Sequence, residues 1–323
     1  MAEWLYEDGI GENRAILVEN GRIVEAAIEL PGDLRAGSVI AARLTAILVP
    51  GRRAIATIEG GAEVLVEPVP PGVTEGAAVR LEILREPVAE QGRPKRAKGR
   101  VTDADERLGP TLRERLGTPA SCSPIGSDLF EQAGWSELLE EAATGETAFE
   151  GGALRMSLTP AMTLFDVDGV LAPAALAEAG AEAAARAIRR LGIAGSIGID
   201  LPTLPSREDR LKAAAALDAV LPQPFERTAV NGFGFLQVVR RKERASLAEI
   251  VQSDPAGAAA RALLRRAERS SGSGLRTLHA APEVIARIEP WAETLARRTG
   301  TQVALQAEPG LAISAGHVHS RFP

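Results

Sequence analysis

The sequence predicts a multidomain protein of mixed α/β and β class, and three observations predict it. A βαβ unit spans Met162 to Asp200, short strands parted by Gly and Pro turns fill residues 36–88, and a compact α+β unit follows residue 253. A chain of 323 residues has room for about two or three domains. Hydrophobic residues make up 45% and aromatics only 3%, so Ala, Leu, Val and Ile must fill the cores. The net charge of −6 excludes a polycation and leaves nucleic-acid contact to local patches. Cys122 stands alone, which excludes an intrachain disulfide and a multi-cysteine zinc site. No leader pattern opens the chain and no apolar run is long enough to span a bilayer, so a soluble cytoplasmic protein without a membrane partner is expected.

In chain order, Asn13–Val18 and Arg22–Leu30 alternate and flank Asn20-Gly21, a hairpin turn signal. Strands are expected at Val39–Leu48, Arg53–Thr57, Ala62–Val66 and Ala78–Leu84, which suggests a small barrel, a five-stranded OB-fold with one strand escaping the pattern. Residues 89–110, with the basic run Arg93 to Arg100, read as an exposed connection or a phosphate-binding arm. A helix is expected over Leu129–Ala143, strands at Leu154–Leu158 and Met162–Asp166, and a helix over Pro173–Leu191 with Ala177, Ala181, Ala184, Ile188 and Leu191 at helical spacing. A helix over Arg207–Val220 and strands near Ala229 and at Phe235–Arg240 follow. The last segment reads as a helix at Ala256–Ser270, a Ser-Gly-Ser-Gly hinge at 271–274, then strand Arg276–Ala281, helix Pro282–Thr299 and strand Gln302–Glu308.

The βαβ crossover makes the strands at Met162–Asp166 and Gly195–Asp200 parallel, so their carboxyl ends share one edge. Asp166, Asp168 and Asp200 should gather there, where open α/β sheets carry their chemistry. Carboxylates without an obvious cationic partner repel, and a hard cation such as Mg²⁺ relieves the conflict. An Asp at a strand end also caps helices and starts turns, so the pattern alone leaves both readings open. Arg207 and Arg210 after Asp200, and Arg240, Arg241, Lys242 and Arg244 after the last strand of this region, are candidate phosphate contacts or a solvated helix face. His317 and His319 suit an exposed strand better than a metal site, since no Cys or carboxylate cluster surrounds them.

The stretch from Leu129 to Leu247 resembles the catalytic core of the ribonuclease E/G family. The matching pieces fall in order: Leu129-Phe130 with Glu137, Leu138 and Glu141, then Glu150-Gly151-Gly152-Ala153-Leu154, Thr163-Leu164-Phe165-Asp166-Val167-Asp168-Gly169, Ala194 to Asp200, and Phe233-Gly234-Phe235-Leu236-Gln237-Val238-Val239-Arg240. The resemblance implies a split RNase H-like segment (residues 1–35 and part of 91–150, the rest being linker), an inserted OB-fold RNA-binding barrel (36–90), a DNase I-like catalytic domain (151–252) and a small α+β domain (253–323) ending in His317-Val318-His319. It implies Asp166 and Asp200 as Mg²⁺ ligands, Asp168 at a supporting Asn position, hydrolysis of single-stranded RNA to 5′-phosphate and 3′-hydroxyl ends in RNA processing or decay, and a homodimer through the carboxy-terminal domain.

The chain departs from that family in four ways. Asp168 replaces Asn, no cysteine follows Ala245 to form a zinc link, the region of the 5′-monophosphate sensor is short, and residues 36–88 hold no Phe, Tyr or Trp. Ala56 and Leu65 fall where base-stacking aromatics would be expected. The leading expectation is a Mg²⁺-dependent endoribonuclease, and the alternative is a non-catalytic RNA-binding or regulatory relative. Asp166-Val167-Asp168-Gly169 also echoes the Asp-x-Asp-Gly of haloacid dehalogenase-like phosphatases, though its surroundings match ribonuclease E/G better.

Overall fold

The computed structural model describes residues 2–32, 34–89, 94–272 and 274–320. The chain divides into two compact units: Met1–Pro31, Thr118–Ala143 and Ile250–Pro323 form one, Gly32–Gly117 and Thr144–Glu249 the other. In the first unit β1 (Glu3–Asp8), β2 (Asn13–Glu19) and β3 (Arg22–Glu29) form an antiparallel meander. Asn20 and Gly21, with φ of 51° and 75°, make the tight turn their pairing predicts. The sequence pattern missed β1 because Leu5, Tyr6 and Glu7 are buried consecutively, without period-two alternation.

In the second unit β4 (Val39–Val49), β5 (Arg53–Ile58), β6 (Glu63–Val66), β7 (Ala78–Arg85) and β8 (Ala97–Val101) close a five-stranded barrel in the order β4-β5-β6-β8-β7. Strands β6 and β8 run parallel and the other neighbours antiparallel, compatible with an OB-like barrel. Leu44, Val64, Val66, Leu81 and Ile83 fill its interior. The strand hidden from sequence is β8, inside the stretch expected to be an exposed connection. Its inward residues are only Ala97 and Gly99, and a Cβ on Gly99 would stand 3.1 Å from the Glu82 carbonyl oxygen, so no apolar alternation marks it. Residues 90–93 of that connection, including Arg93 of the basic run, lie outside the described residues, as does Ser273 of the expected hinge.

After α1 (Leu112–Leu116), the short β9 (Ala120–Ser121) adds to β1 in parallel. The helix expected over Leu129–Ala143 is two helices, α2 (Leu129–Gln132) and α3 (Trp135–Thr144), because Gly134 turns the chain at φ 96°. Next come β10 (Glu146–Phe149), β11 (Gly152–Leu158), β12 (Thr163–Gly169), α4 (Pro173–Arg190), β13 (Gly195–Asp200), α5 (Arg207–Val220), β14 (Glu226–Arg227) and β15 (Phe235–Arg240). They build a six-stranded sheet ordered β10-β11-β12-β13-β15-β14, in which β12 and β13 are the parallel pair. Alternation sends Leu154, Phe165, Val167, Ile197, Ile199 and Leu236 to one face, each buried, and each such side chain contributes about 1.5–3 kcal/mol. Helix α4 lies against this face, so close at Gly180 that a Cβ there would meet Val167 Cγ1 at 2.4 Å.

The chain continues through α6 (Leu247–Ser253), α7 (Pro255–Arg269), β16 (Arg276–Ala280), α8 (Pro282–Ile288), α9 (Ala292–Thr299), β17 (Val303–Ala307) and β18 (His317–Ser320). The helix expected over Pro282–Thr299 is interrupted by a 3-10 turn at Glu289–Trp291, where Pro290 cannot donate to the helical ladder. Strand β17 pairs parallel and β18 antiparallel to β16. Ile10 from the amino terminus shares a buried core with Leu263, Leu278, Val284, Ile288 and Leu295, which is why segments far apart in sequence form one unit. The same unit buries charge: Arg265 reaches Glu7 (3.0 Å) and Asp128 (2.5 Å), and Arg269 reaches Glu7 (2.6 Å). Among the described residues no helix is long and apolar enough to cross a membrane.

Candidate active site

Parallel pairing sets Asp166 of β12 opposite Asp200 of β13. Both side chains point away from the helix-covered face, because Phe165, Val167 and Ile199 beside them are buried on it. Neighbouring strands run about 4.8 Å apart, and two carboxylates at that spacing repel by about 1 kcal/mol in water-like surroundings and about 3 kcal/mol at an effective dielectric near 20. Both residues are exposed, which favours the lower figure, and neither carboxylate has an ion pair or hydrogen bond among the described residues.

Asp168 differs from them. It stands two residues farther along β12, on the same face, and pairs with Arg155 Nη1 at 3.4 Å. Arg155 lies on β11 opposite Asp166, so one guanidinium flanks the carboxylate group. Sequence reasoning missed Arg155. Its place between buried Leu154 and Met156 puts it on the open face, but only the β11–β12 register brings it to the carboxylates.

Four loops meet at this edge: Glu150–Gly151 before β11, Val170–Ala172 after β12, Leu201–Ser206 after β13 and Asn231–Gly234 before β15. Helix α4 begins there at Pro173, and its N-cap residue Ala172 supplies no side-chain capping bond, so the first-turn amides remain open to an anion. Helix α5 begins there too, capped by Ser206, whose Oγ accepts from the Asp209 amide at 3.3 Å. Arg207 is exposed in that first turn. Arg210 is bound to its own loop, donating from Nη1 to the carbonyls of Leu204 (2.6 Å) and Pro205 (2.8 Å).

The other expected cations lie at the opposite end of the sheet. Because β15 runs antiparallel to β13, Phe235 pairs with Asp200 while Arg240 pairs with Gly195, about 16 Å away along the strand. Arg240 donates to the Ile193 carbonyl at 3.1 Å, Arg241 pairs with Glu243 at 3.3 Å, Lys242 pairs with the buried carboxylate of Glu249, and Arg244 reaches Glu86 at 3.5 Å. A backbone carbonyl holds Arg240 and carboxylates engage the other three near the far edge, so they are not gathered with Asp166 and Asp200.

Four of the barrel's cations are likewise paired with carboxylates. Lys98 and Arg53 pair with Glu67 at 2.8 and 3.2 Å, Arg96 with Glu63 at 2.5 Å, and Arg100 with Glu82 at 2.7 Å. The hydrogen bond from Lys98 holds the Glu67 carboxyl below its usual range. Ala56 is fully buried inside the barrel and Leu65 half-buried.

The histidines do not add a ligand set. His317 stacks on His279 across β16 and β18, centroids 4.8 Å apart, and His279 Nδ1 meets Glu308 Oε1 at 2.5 Å. Among the described residues no cluster of three or more His, Cys, Asp or Glu is arranged to hold a metal. Burial pushes the Cys122 thiol up, the wrong direction for a nucleophile. An ion at Asp166 and Asp200 would have two protein carboxylates, a donor set that suits Mg²⁺, which keeps several waters, and not a zinc site. No family model matches the chain, and no curated protein matches it either.

Proposed function

We propose that this chain is a Mg²⁺-dependent endonuclease that hydrolyses single-stranded RNA to 5′-phosphate and 3′-hydroxyl products, related to ribonuclease E/G. The observation that carries the reading is the in-register pair Asp166 and Asp200 at the carboxyl edge of two parallel strands, exposed and without cationic partners among the described residues. These two residues would hold Mg²⁺, which supplies charge stabilisation and a more acidic water for phosphodiester hydrolysis. Arg155 neutralises Asp168 and lowers the charge an incoming phosphate meets. The open first turn of α4 and the exposed Arg207 offer donors to that phosphate. On this reading the barrel is the OB-fold, the six-stranded sheet the DNase I-like catalytic domain, and β1–β3 the split RNase H-like piece. The small carboxy-terminal region is the candidate dimer surface.

One observation favours the non-catalytic alternative: Arg53, Arg96, Lys98 and Arg100 of the barrel are paired with carboxylates, and residues 36–88 hold no aromatic to stack a base. A single assay separates the two. Full-length protein is incubated with Mg²⁺ and end-labelled single-stranded RNA beside Asp166→Asn and Asp200→Asn. Cleavage lost in both variants supports the nuclease, binding without cleavage by the wild type supports the alternative, and cleavage retained in both overturns the site.

A further inference from the structure

Phe233 is 82% exposed, and every other Phe, Tyr or Trp among the described residues is buried or half-buried. Single exposed apolar residues are common on protein surfaces, so exposure alone decides nothing. Position and rigidity distinguish this one. Phe233 precedes Gly234 in the loop that enters β15, and Phe235 pairs directly with Asp200. Two residues beyond that pair, its Cα stands no more than about 13 Å from the Asp200 Cα.

The backbone carrying the ring is fixed on three sides. Asn231 Oδ1 accepts from the amides of Phe233 (2.9 Å) and Phe235 (3.0 Å). The Leu201 amide donates to the Gly234 carbonyl at 3.3 Å. Gly234 has φ 95°, and a Cβ there would stand 2.1 Å from the Leu201 carbonyl oxygen, so the turn is held against the residue that follows Asp200. Val170, 92% exposed, stands at the same edge in the loop after β12, tied down by its amide to the Gly151 carbonyl at 3.0 Å. An aromatic presented on a rigid turn loses little entropy on contact.

We propose that Phe233 is the base-stacking residue of this protein: an unpaired nucleobase of single-stranded RNA lies on its ring while a neighbouring phosphate would meet the Mg²⁺ that Asp166 and Asp200 would hold. Every base has a π-face, so this contact selects single strands without selecting sequence, and duplex bases, already stacked, do not gain it. It supplies what the aromatic-free barrel lacks. The inference rests on the nuclease reading for the phosphate's position but not for the stacking itself.

The test is fluorescence anisotropy with labelled single-stranded RNA and Mg²⁺ on the full chain in the Asp166→Asn background, where the strand stays intact. Phe233→Ala should weaken binding about five- to a hundred-fold, Phe233→Trp should retain it with quenched indole emission, and an abasic strand of equal length should bind both alike. Truncating so exposed a side chain removes little packing, and circular dichroism of each variant checks the fold. Equal affinity of the Phe233→Ala and parent proteins for base-bearing RNA overturns the proposal. Wild-type cleavage together with that equality leaves the nuclease standing and removes only the stacking role. Phe233-dependent binding without wild-type cleavage does the reverse, and no RNA binding at all removes both.

Discussion

Arg155 stands opposite Asp166 across the antiparallel β11–β12 pair, yet its guanidinium pairs with Asp168, 3.4 Å away. The arginine therefore separates the three carboxylates into one neutralised residue and two unpaired ones. Both partners are more than half exposed, so the pair itself adds little stability, about 0–1 kcal/mol. Its effect is on charge at the edge.

That division predicts unequal variants. Asp166→Asn and Asp200→Asn should each lower RNA cleavage by about 100-fold or more, the scale of losing metal-derived charge stabilisation. Asp168→Asn should stay within about ten-fold of wild type, because Arg155 already cancels that charge. Single-turnover rates across a Mg²⁺ titration measure this, and equal losses at all three positions would refute it.

Gly180→Ala tests the packing that holds β12 in place. Alanine gains about 1 kcal/mol of helix propensity in α4, but its Cβ would meet Val167 Cγ1 at 2.4 Å, and overpacking costs about 1–3 kcal/mol. Both atoms sit in a tightly packed layer, so the net change should be destabilising. Urea unfolding reads it directly, and a midpoint shifted upward would show that the helix gives way.

The barrel's ion pairs predict that Arg53→Ala, Lys98→Ala and Arg100→Ala change RNA affinity less than about two-fold, the measure of cations already satisfied. Replacing Glu63, Glu67 and Glu82 together by Gln should raise affinity and steepen its salt dependence, by about 0.7 in log–log slope for each freed cation that meets phosphate. Binding titrations at several salt concentrations distinguish the outcomes. A large loss in any single cation variant would restore the barrel as a clamp.

Acid should weaken the buried charge network of the first unit. Burial pushes the Asp128 carboxyl up, but hydrogen bonds from Arg265 and the Glu131 amide outweigh it and hold it below its ordinary value near 3.8. A depressed carboxyl stabilises the fold above its unfolded value and loses that contribution as pH falls through the folded one. Stability should therefore decline below about pH 4, and Asp128→Asn should flatten that limb. Glu268 acts oppositely: burial raises it, so its proton favours the fold and stability falls as pH rises past the ordinary glutamate range. Urea midpoints across pH for wild type and Asp128→Asn decide the matter.

The residues by themselves determined the elements whose burial pattern is periodic, though not β1, β8 or the breaks at Gly134 and Pro290. The apolar periodicity of Pro173–Leu191 and the apolar runs before Asp166 and Asp200 were legible because burial repeats at the period of the element. So was the parallel relation of the two strands, since a helical crossover permits no other. What only the tertiary structure decided was register and direction. It placed Arg155 beside Asp168, carried Arg240 to Arg244 away from the carboxylates along an antiparallel strand, and found the barrel's last strand in a charged segment. Such pairings depend on hydrogen bonds between segments distant in the chain, which side-chain periodicity along one segment does not encode.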